Sequence, residues 1–214
     1  MQTFKLKHIG NVLLGISITI ICIVLFWFLI LKGLGEILFG SLPKSSKTEL
    51  IENFKKKERN IIELKDYYNS IVPTDYTVSI EFKSDNEINN FRIIFPFDSL
   101  SMKRQDNIYV GYLKNDSSKT DSLLKILNWT PDNIIKINNY LDSANSISVE
   151  NGEPSKIGFR RDGFGMLYYQ IFENPIPDTL HEYYDNGCNY IQYNAKTVLE
   201  YESGAIGNNC FPLF

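Results

Sequence analysis

The sequence predicts an α+β protein in which a single N-terminal transmembrane helix precedes one globular domain with a mainly antiparallel sheet and helices on one face. Three observations support this prediction: a long uncharged apolar run, a following segment with helical spacing of apolar residues, and several short alternating segments joined by turn residues. The predicted parts are a basic head at 1–8, a transmembrane helix at 9–31, a linker at 32–46 and a soluble domain at 47–214.

The apolar run between Ile9 and Leu31 contains no charged residue. At about 1.5 Å per residue, a helix of this length covers the roughly 30 Å of a bilayer's hydrocarbon core. A cleavable signal peptide would have a shorter apolar region that ends in small residues, whereas bulky residues fill positions 26–31. The length also disfavours a buried helix of a soluble domain. We therefore expect an uncleaved anchor, with the lipid bilayer as its partner.

The basic residues that flank the run do not by themselves decide its orientation. Lys5 and Lys7 precede it, while Lys32, Lys44 and Lys47 follow it. The head is short and contains no acidic residue, which is typical of a signal anchor with a cytoplasmic N-terminus. We therefore expect the globular domain to lie outside the cytoplasm.

The first element of the globular domain is a predicted helix from Lys47 to Ile71, where apolar residues recur at steps of three, four and seven. Ser45 and Ser46 precede it as possible caps, and Pro73 ends it. The face opposite the apolar stripe carries a basic run at 55–59. Such a run is typical of a solvated helix face, but it can also form a patch for lipid headgroups, as in a cytosol-facing membrane adaptor.

The rest of the domain alternates between strand and helix patterns. Strands are predicted at Tyr76–Phe82, Phe91–Phe97 and Ile108–Leu113, and helices at Asp121–Asn128 and from Pro131, after Thr130 as cap, to Leu141. Asp162 and Gly163 predict a tight hairpin, and a short helix is expected near Asp178–Asp185. A last hairpin is predicted to pair Tyr190–Tyr193 with Thr197–Tyr201.

Cys188 and Cys210 flank this last hairpin, which can bring their Cα atoms within the roughly 6 Å that a disulfide needs. A bridge would close a loop of roughly 20 residues and contribute about 3 kcal/mol. Disulfides persist in oxidising compartments, so the bridge accords with an exported domain. The alternative is two unpaired buried cysteines. Cys22 lies inside the apolar run and is most simply an apolar side chain.

Candidate catalytic groups are sparse. His181 and Cys188 are close enough in sequence to form a nucleophile pair, as in a membrane-tethered cysteine hydrolase, if the thiolate lies within hydrogen-bond reach of the imidazole. One histidine and two separated cysteines give no spacing for a metal site, and no cofactor is expected. The carboxylates of the C-terminal part are scattered, at Glu173, Asp178, Glu200 and Glu202.

The net charge of -3 and the pI of about 5.5 argue against a nucleic-acid binder, which needs basic surface to neutralise phosphates. A group of aromatic residues can either line a ligand-binding face or pack in the core: Phe159, Phe164, Tyr168, Tyr169 and Phe172. We therefore expect a non-catalytic binding or accessory protein of the cell envelope, an immunity-type factor being one form. Its partner would be another protein or an envelope component. The alternatives are the cysteine hydrolase and the membrane adaptor.

Overall fold

The structure is a computed structural model that describes residues 20–21, 23–30, 45–96, 107–115, 117–204 and 210–211. The chain divides into two compact units, Met1–Pro43 and Lys44–Phe214. In the first unit, residues 20–21 and 23–30 are helical. Among the described residues, no helix has both the length and the hydropathy needed to cross a bilayer. The predicted head, the rest of the predicted transmembrane helix and the linker up to residue 44 lie outside the described residues.

The second unit is an α+β domain, as the sequence predicts. Its described helices are α1 (Lys47–Ile71), α2 (Ser118–Leu127), α3 (Pro131–Ala144) and the short α4 (His181–Tyr184), which follows a 3-10 turn at Asp178–Leu180. Its described strands are β1 (Thr77–Ser84), β2 (Glu87–Ile94), β3 (Ile108–Lys114), β4 (Ser148–Glu150), β5 (Ser155–Asp162), β6 (Gly165–Ile171), β7 (Tyr190–Asn194) and β8 (Thr197–Glu202). These strands form one antiparallel sheet in the order β3-β2-β1-β4-β5-β6-β8-β7.

Helix α1 begins at a capping box. The Ser46 hydroxyl accepts a hydrogen bond from the backbone N–H of Glu49 (3.2 Å), and the Glu49 carboxylate accepts one from the backbone N–H of Ser46 (3.0 Å). The helix ends at Ile71, two residues before Pro73. Near that end the Tyr68 hydroxyl donates to the Val78 carbonyl of β1 (3.2 Å). The sequence therefore predicts the limits of this helix, and the hydroxyl of a buried tyrosine attaches it to the sheet.

The first hairpin differs from the prediction. Val78, Ile80 and Phe82 point to the core side of β1, as expected. Strand β2, however, begins at Glu87 and ends at Ile94, whereas the sequence predicts a strand at 91–97. The prediction missed the start of β2 because it followed apolar residues, and the first half of this strand is mostly polar.

The core lies on one face of the sheet, where α1, α2 and α3 share a single apolar cluster with alternate residues of the strands. Asn53 of α1 connects these layers. Its amide donates to the Ala144 carbonyl at the end of α3 (3.2 Å) and to the Tyr169 hydroxyl of β6 (3.0 Å). The Tyr169 hydroxyl in turn donates to the Leu50 carbonyl (2.9 Å). These buried polar groups satisfy one another, which fixes the position of α1 across the sheet.

The sheet consists of two parts that meet where β1 pairs with β4. The pairing comprises Ser79 with Glu150, Ile80 with Val149, and Glu81 with Ser148. One part is the meander β1 to β3, and the other contains β4 to β8. Helices α2 and α3 connect the two parts along the chain.

The short helix α4 corrects the expectation that all helices lie on one face. Its Tyr184 packs with a second apolar cluster of Phe172, Ile176 and Val198, together with Tyr190. Val198 alternates with Leu199, which belongs to the main core, so this cluster lies on the opposite face of the sheet. The Tyr184 ring of α4 is thus partly buried against apolar residues on the second face of the sheet.

Candidate functional site

Apart from the second apolar cluster around Val198, the face of the sheet that α1 to α3 leave uncovered is polar, and we call it the polar face. It contains a cleft of about 430 Å³, which we call the central cleft. Seven neighbouring strands contribute to it, from β3 at one end to β8 at the other. The polar or aromatic lining residues used below are Ser79, Glu81, Asn90, Arg92, Tyr109, Ser148, Glu150, Lys156, Arg161, Phe164, Tyr168 and Glu202.

A bidentate ion pair between Arg161 and Glu81 lies at the middle of this face. Arg161 Nε donates to Glu81 Oε1 (2.9 Å), and Arg161 Nη2 donates to Glu81 Oε2 (2.7 Å). The amides of Asn89 and Asn90 donate to the same two oxygens, at 3.0 and 3.1 Å. Glu81 is only 8% exposed, so its charge is satisfied almost entirely by protein groups. The side chain is therefore held in one position, and its partners come from β2 and β5.

Two further cations are also paired on this face. Arg92 of β2 bonds to Glu150 of β4. Lys156 of β5 contacts Glu200 of β8 at 2.9 Å, and its Nζ lies 4.5 Å from the ring centre of Tyr168. Glu200 is 5% exposed and also accepts hydrogen bonds from Gln170 Nε2 (2.8 Å) and the Tyr190 hydroxyl (3.3 Å). Each of these cations is thus paired with a carboxylate from another strand.

The aromatic residues proposed as either ligand face or core divide between the apolar clusters and the central cleft. Phe159 and Tyr169 belong to the main core, and Phe172 belongs to the second cluster. Phe164 and Tyr168 line the central cleft. Burial, together with the charges of Glu202, Glu200 and Glu81, raises the pKa of Tyr168, so its hydroxyl keeps its proton at neutral pH.

Cys188 and Cys210 form a disulfide with Cα atoms 4.2 Å apart, which confirms the predicted bridge. The bridge closes a sequence separation of 22 residues. Beside it the backbone N–H of Phe211 donates to the Cys188 carbonyl (2.9 Å), and the Phe211 ring packs 5.9 Å from that of Tyr201. Phe211 is 7% exposed, so the bridge holds a C-terminal segment whose aromatic ring belongs to the core.

His181 is engaged with neighbours other than Cys188. Its Nδ1 lies 2.5 Å from Gln192 Oε1, and its Nε2 lies 3.3 Å from Asp178. The Cys188 sulfur is bonded to Cys210 and so carries no thiolate in this state. The hydrolase hypothesis, which pairs Cys188 with His181, stays a prediction that requires the reduced protein.

The described residues contain no group of three or more histidine, cysteine or acidic side chains that could hold a metal ion. The ion pairs of the central cleft escaped prediction because they join residues far apart in the chain, such as Glu81 and Arg161. Comparisons with protein-family models, with curated proteins and with solved structures found no match to this chain. We therefore infer function from the residues of the site.

Proposed function

We propose that this chain is a membrane-anchored, extracytoplasmic protein of the cell envelope whose globular domain binds a partner in the central cleft without catalysing a reaction on it. The partner is another protein or an envelope component, and an immunity-type role is one form of such binding. The observation that carries the proposal is the polar face, where charged side chains from five strands are fixed by one another around a cleft.

The cleft supports binding because its side chains are held in place before a ligand arrives. Glu81, Arg161 and Glu150 each have a partner of opposite charge on another strand. Fixed groups lose little conformational entropy on binding, which favours affinity. Proton transfer or nucleophilic attack instead needs a group that is free to react, whereas these groups are engaged in mutual pairs.

Two features support the location. The disulfide between Cys188 and Cys210 is the kind of bond that persists outside the cytoplasm. The uncharged run at 9–31 has the length and composition of a membrane anchor. The competing adaptor role would use the basic run at 55–59. On this face of α1, Arg59 pairs with Glu63 at 2.8 Å and Lys56 lies 4.0 Å from Glu52. The exposed face of the helix therefore carries both positive and negative charges.

The location is tested with two reporters fused after Phe214. Alkaline phosphatase is active only outside the cytoplasm, and green fluorescent protein exported by the general secretion route fluoresces only inside. We expect an active phosphatase fusion, a dark fluorescent-protein fusion, and retention of the full-length chain in the membrane fraction after carbonate washing. Fluorescence without phosphatase activity would contradict the orientation and favour the adaptor.

The binding role is tested with a photo-activatable amino acid placed at single positions of the full-length chain in living host cells. Tyr109 lines the central cleft, whereas Tyr112, on the same strand and 77% exposed, does not. We expect a discrete cross-linked product from position 109 and none of that mass from position 112. Equal products from both positions, or none from either, would refute binding in the cleft.

A further inference from the structure

The charges that line the central cleft balance. Three cations and three carboxylates line it: Arg92, Lys156, Arg161, Glu81, Glu150 and Glu202. Each of the cations lies within 4 Å of a carboxylate of the polar face. Among the described lining residues, an anionic or cationic ligand would meet no uncompensated opposite charge, and it would have to break an existing pair to gain one. The lining therefore favours an uncharged ligand.

The lining also mixes hydrogen-bond donors and acceptors at close range. Strands lie about 4.8 Å apart, so side chains on neighbouring strands present hydrogen-bonding groups at about that spacing. Asn90 both donates and accepts through its side chain. Its Nδ2 donates to Glu81 (3.1 Å), and its Oδ1 accepts from the Tyr109 hydroxyl (2.6 Å). Hydroxyl groups both donate and accept, so a ligand rich in hydroxyls can match such a surface at several points.

The position of the cleft argues against an extended peptide. Peptides commonly bind sheets by adding a strand at an edge, where backbone groups are unpaired. Strands β1, β4, β5 and β6 are interior strands that pair with a neighbour on each side. The central part of the cleft therefore offers side chains rather than backbone groups, which suits a ligand recognised through its own projecting polar groups.

Exposed aromatic rings stand at two places along this polar cleft. Tyr109 of β3 is 66% exposed, and Phe164, in the turn between β5 and β6, is 49% exposed. The faces of these rings are apolar surfaces in a mostly polar lining. A pyranose ring has a face of C–H groups and a rim of hydroxyls. It can stack on an aromatic ring while its hydroxyls bond to neighbouring polar groups.

From these observations we infer that the central cleft binds an uncharged oligosaccharide. Tyr109 and Phe164 stack on its sugar rings, and the paired charged side chains between them bond to its hydroxyls. The volume of about 430 Å³ lies within the range of small-ligand sites. This inference rests on the proposed binding function and names the chemistry of the partner, a glycan or glycan-bearing component of the envelope.

The test uses the full-length chain purified in lauryldimethylamine oxide, a detergent that contains no sugar. Binding is measured by calorimetry and by saturation-transfer NMR against chitotetraose, cellotetraose and maltotetraose, with tetragalacturonate as the anionic comparison and tetraglycine as the peptide comparison. We expect at least one neutral tetrasaccharide to bind, and the anionic sugar and the peptide not to bind. Absence of binding by all three neutral sugars at millimolar concentration would overturn the inference.

Three variants locate the binding. Tyr109→Ala and Phe164→Ala should each weaken the affinity by about 3- to 10-fold, because each removes one aromatic stacking contact. Tyr112→Ala removes an even more exposed aromatic ring from the same strand as Tyr109, and it should leave the affinity unchanged. All three are surface substitutions, and their thermal midpoints provide the check on folding. Sugar binding that none of them changes would overturn the assignment to the cleft.

The outcomes separate this inference from the proposed function. A cross-linked product at position 109 without sugar binding would retain the binding role and reject the saccharide. Binding of tetraglycine that Tyr109→Ala weakens would likewise reject the saccharide in favour of a peptide. Failure of the cross-linking and of every ligand together would reject both.

Discussion

Removal of the disulfide should destabilise the domain by an amount that its loop length sets. The bridge between Cys188 and Cys210 closes a separation of 22 residues. In the chain-entropy model, a loop of this size corresponds to about 3 kcal/mol at 25 °C. For a domain of this size, about 1 kcal/mol lowers the thermal midpoint by roughly 2–4 °C, so Cys188→Ser should lower it by roughly 6–12 °C.

The assay is thermal unfolding of the Lys44–Phe214 unit, followed by circular dichroism. Cys188→Ser, Cys210→Ser, the double variant and the reduced wild-type protein should all unfold near the same temperature, because each lacks the same single bond. Additive effects of the two single substitutions in the double variant would refute the assigned role of the bridge. An unchanged thermal midpoint of the wild-type protein after reduction would refute it as well.

Three further predictions concern the core and the sheet. Tyr169→Phe should cost about 1–2 kcal/mol of unfolding free energy, because it leaves buried groups without their hydrogen-bond partner, as denaturant titration can measure. Gly158→Ala should lower the unfolding free energy by about 1–3 kcal/mol, because a Cβ there would lie 2.0 Å from Ser148 Oγ. The double variant with Ser148→Ala should recover part of that loss. The unfolding free energy should fall as the pH rises above about 10, because burial raises the pKa of Tyr68 and of Tyr169, whereas unfolded tyrosines ionise near 10.

Each of these predictions has an internal control. Tyr112→Phe removes a hydroxyl from a side chain that is 77% exposed, and it should change the stability little. Strictly additive effects of Gly158→Ala and Ser148→Ala would show that the two side chains do not collide. In the pH experiment, tyrosinate absorbance should show a fraction of the tyrosines that ionise only on unfolding. A stability that is constant up to pH 11 would contradict the assigned cause.

The parts of the fold that were predicted correctly are those whose signal is local. Helix α1 has an apolar period, a serine cap and a terminating proline within one stretch of chain. The hairpin turn forms where it was predicted, but its central residues are Gly163, with a φ of 59°, and Phe164 rather than Asp162 and Gly163, because Asp162 pairs with Gly165 in the sheet. By contrast, β4 has three residues, too few to show any period, and the predicted strand at 91–97 began too late because the start of β2 is polar.

Prediction of the central cleft requires information that local sequence patterns do not contain. Arg92 and Glu150 are 58 residues apart, and Glu81 and Arg161 are 80 residues apart. Their pairing follows from the strand order and register, which fix which polar side chains become neighbours. Glu200 and Glu202 were scattered carboxylates in the sequence. In the structure Glu200 is buried between Lys156 and Gln170.

The narrow pairing of β1 with β4 has a consequence for how this protein acquires its site. Hairpins such as β1–β2 and β5–β6 join neighbouring segments and can form early, whereas β1 and β4 meet only after the chain that contains α2 and α3 has been brought together. The Glu81–Arg161 and Arg92–Glu150 pairs both cross this junction. The cleft therefore exists only in the completed fold. A bound ligand that spans the junction would slow hydrogen exchange in β4, which pairs with β1 over only three residues.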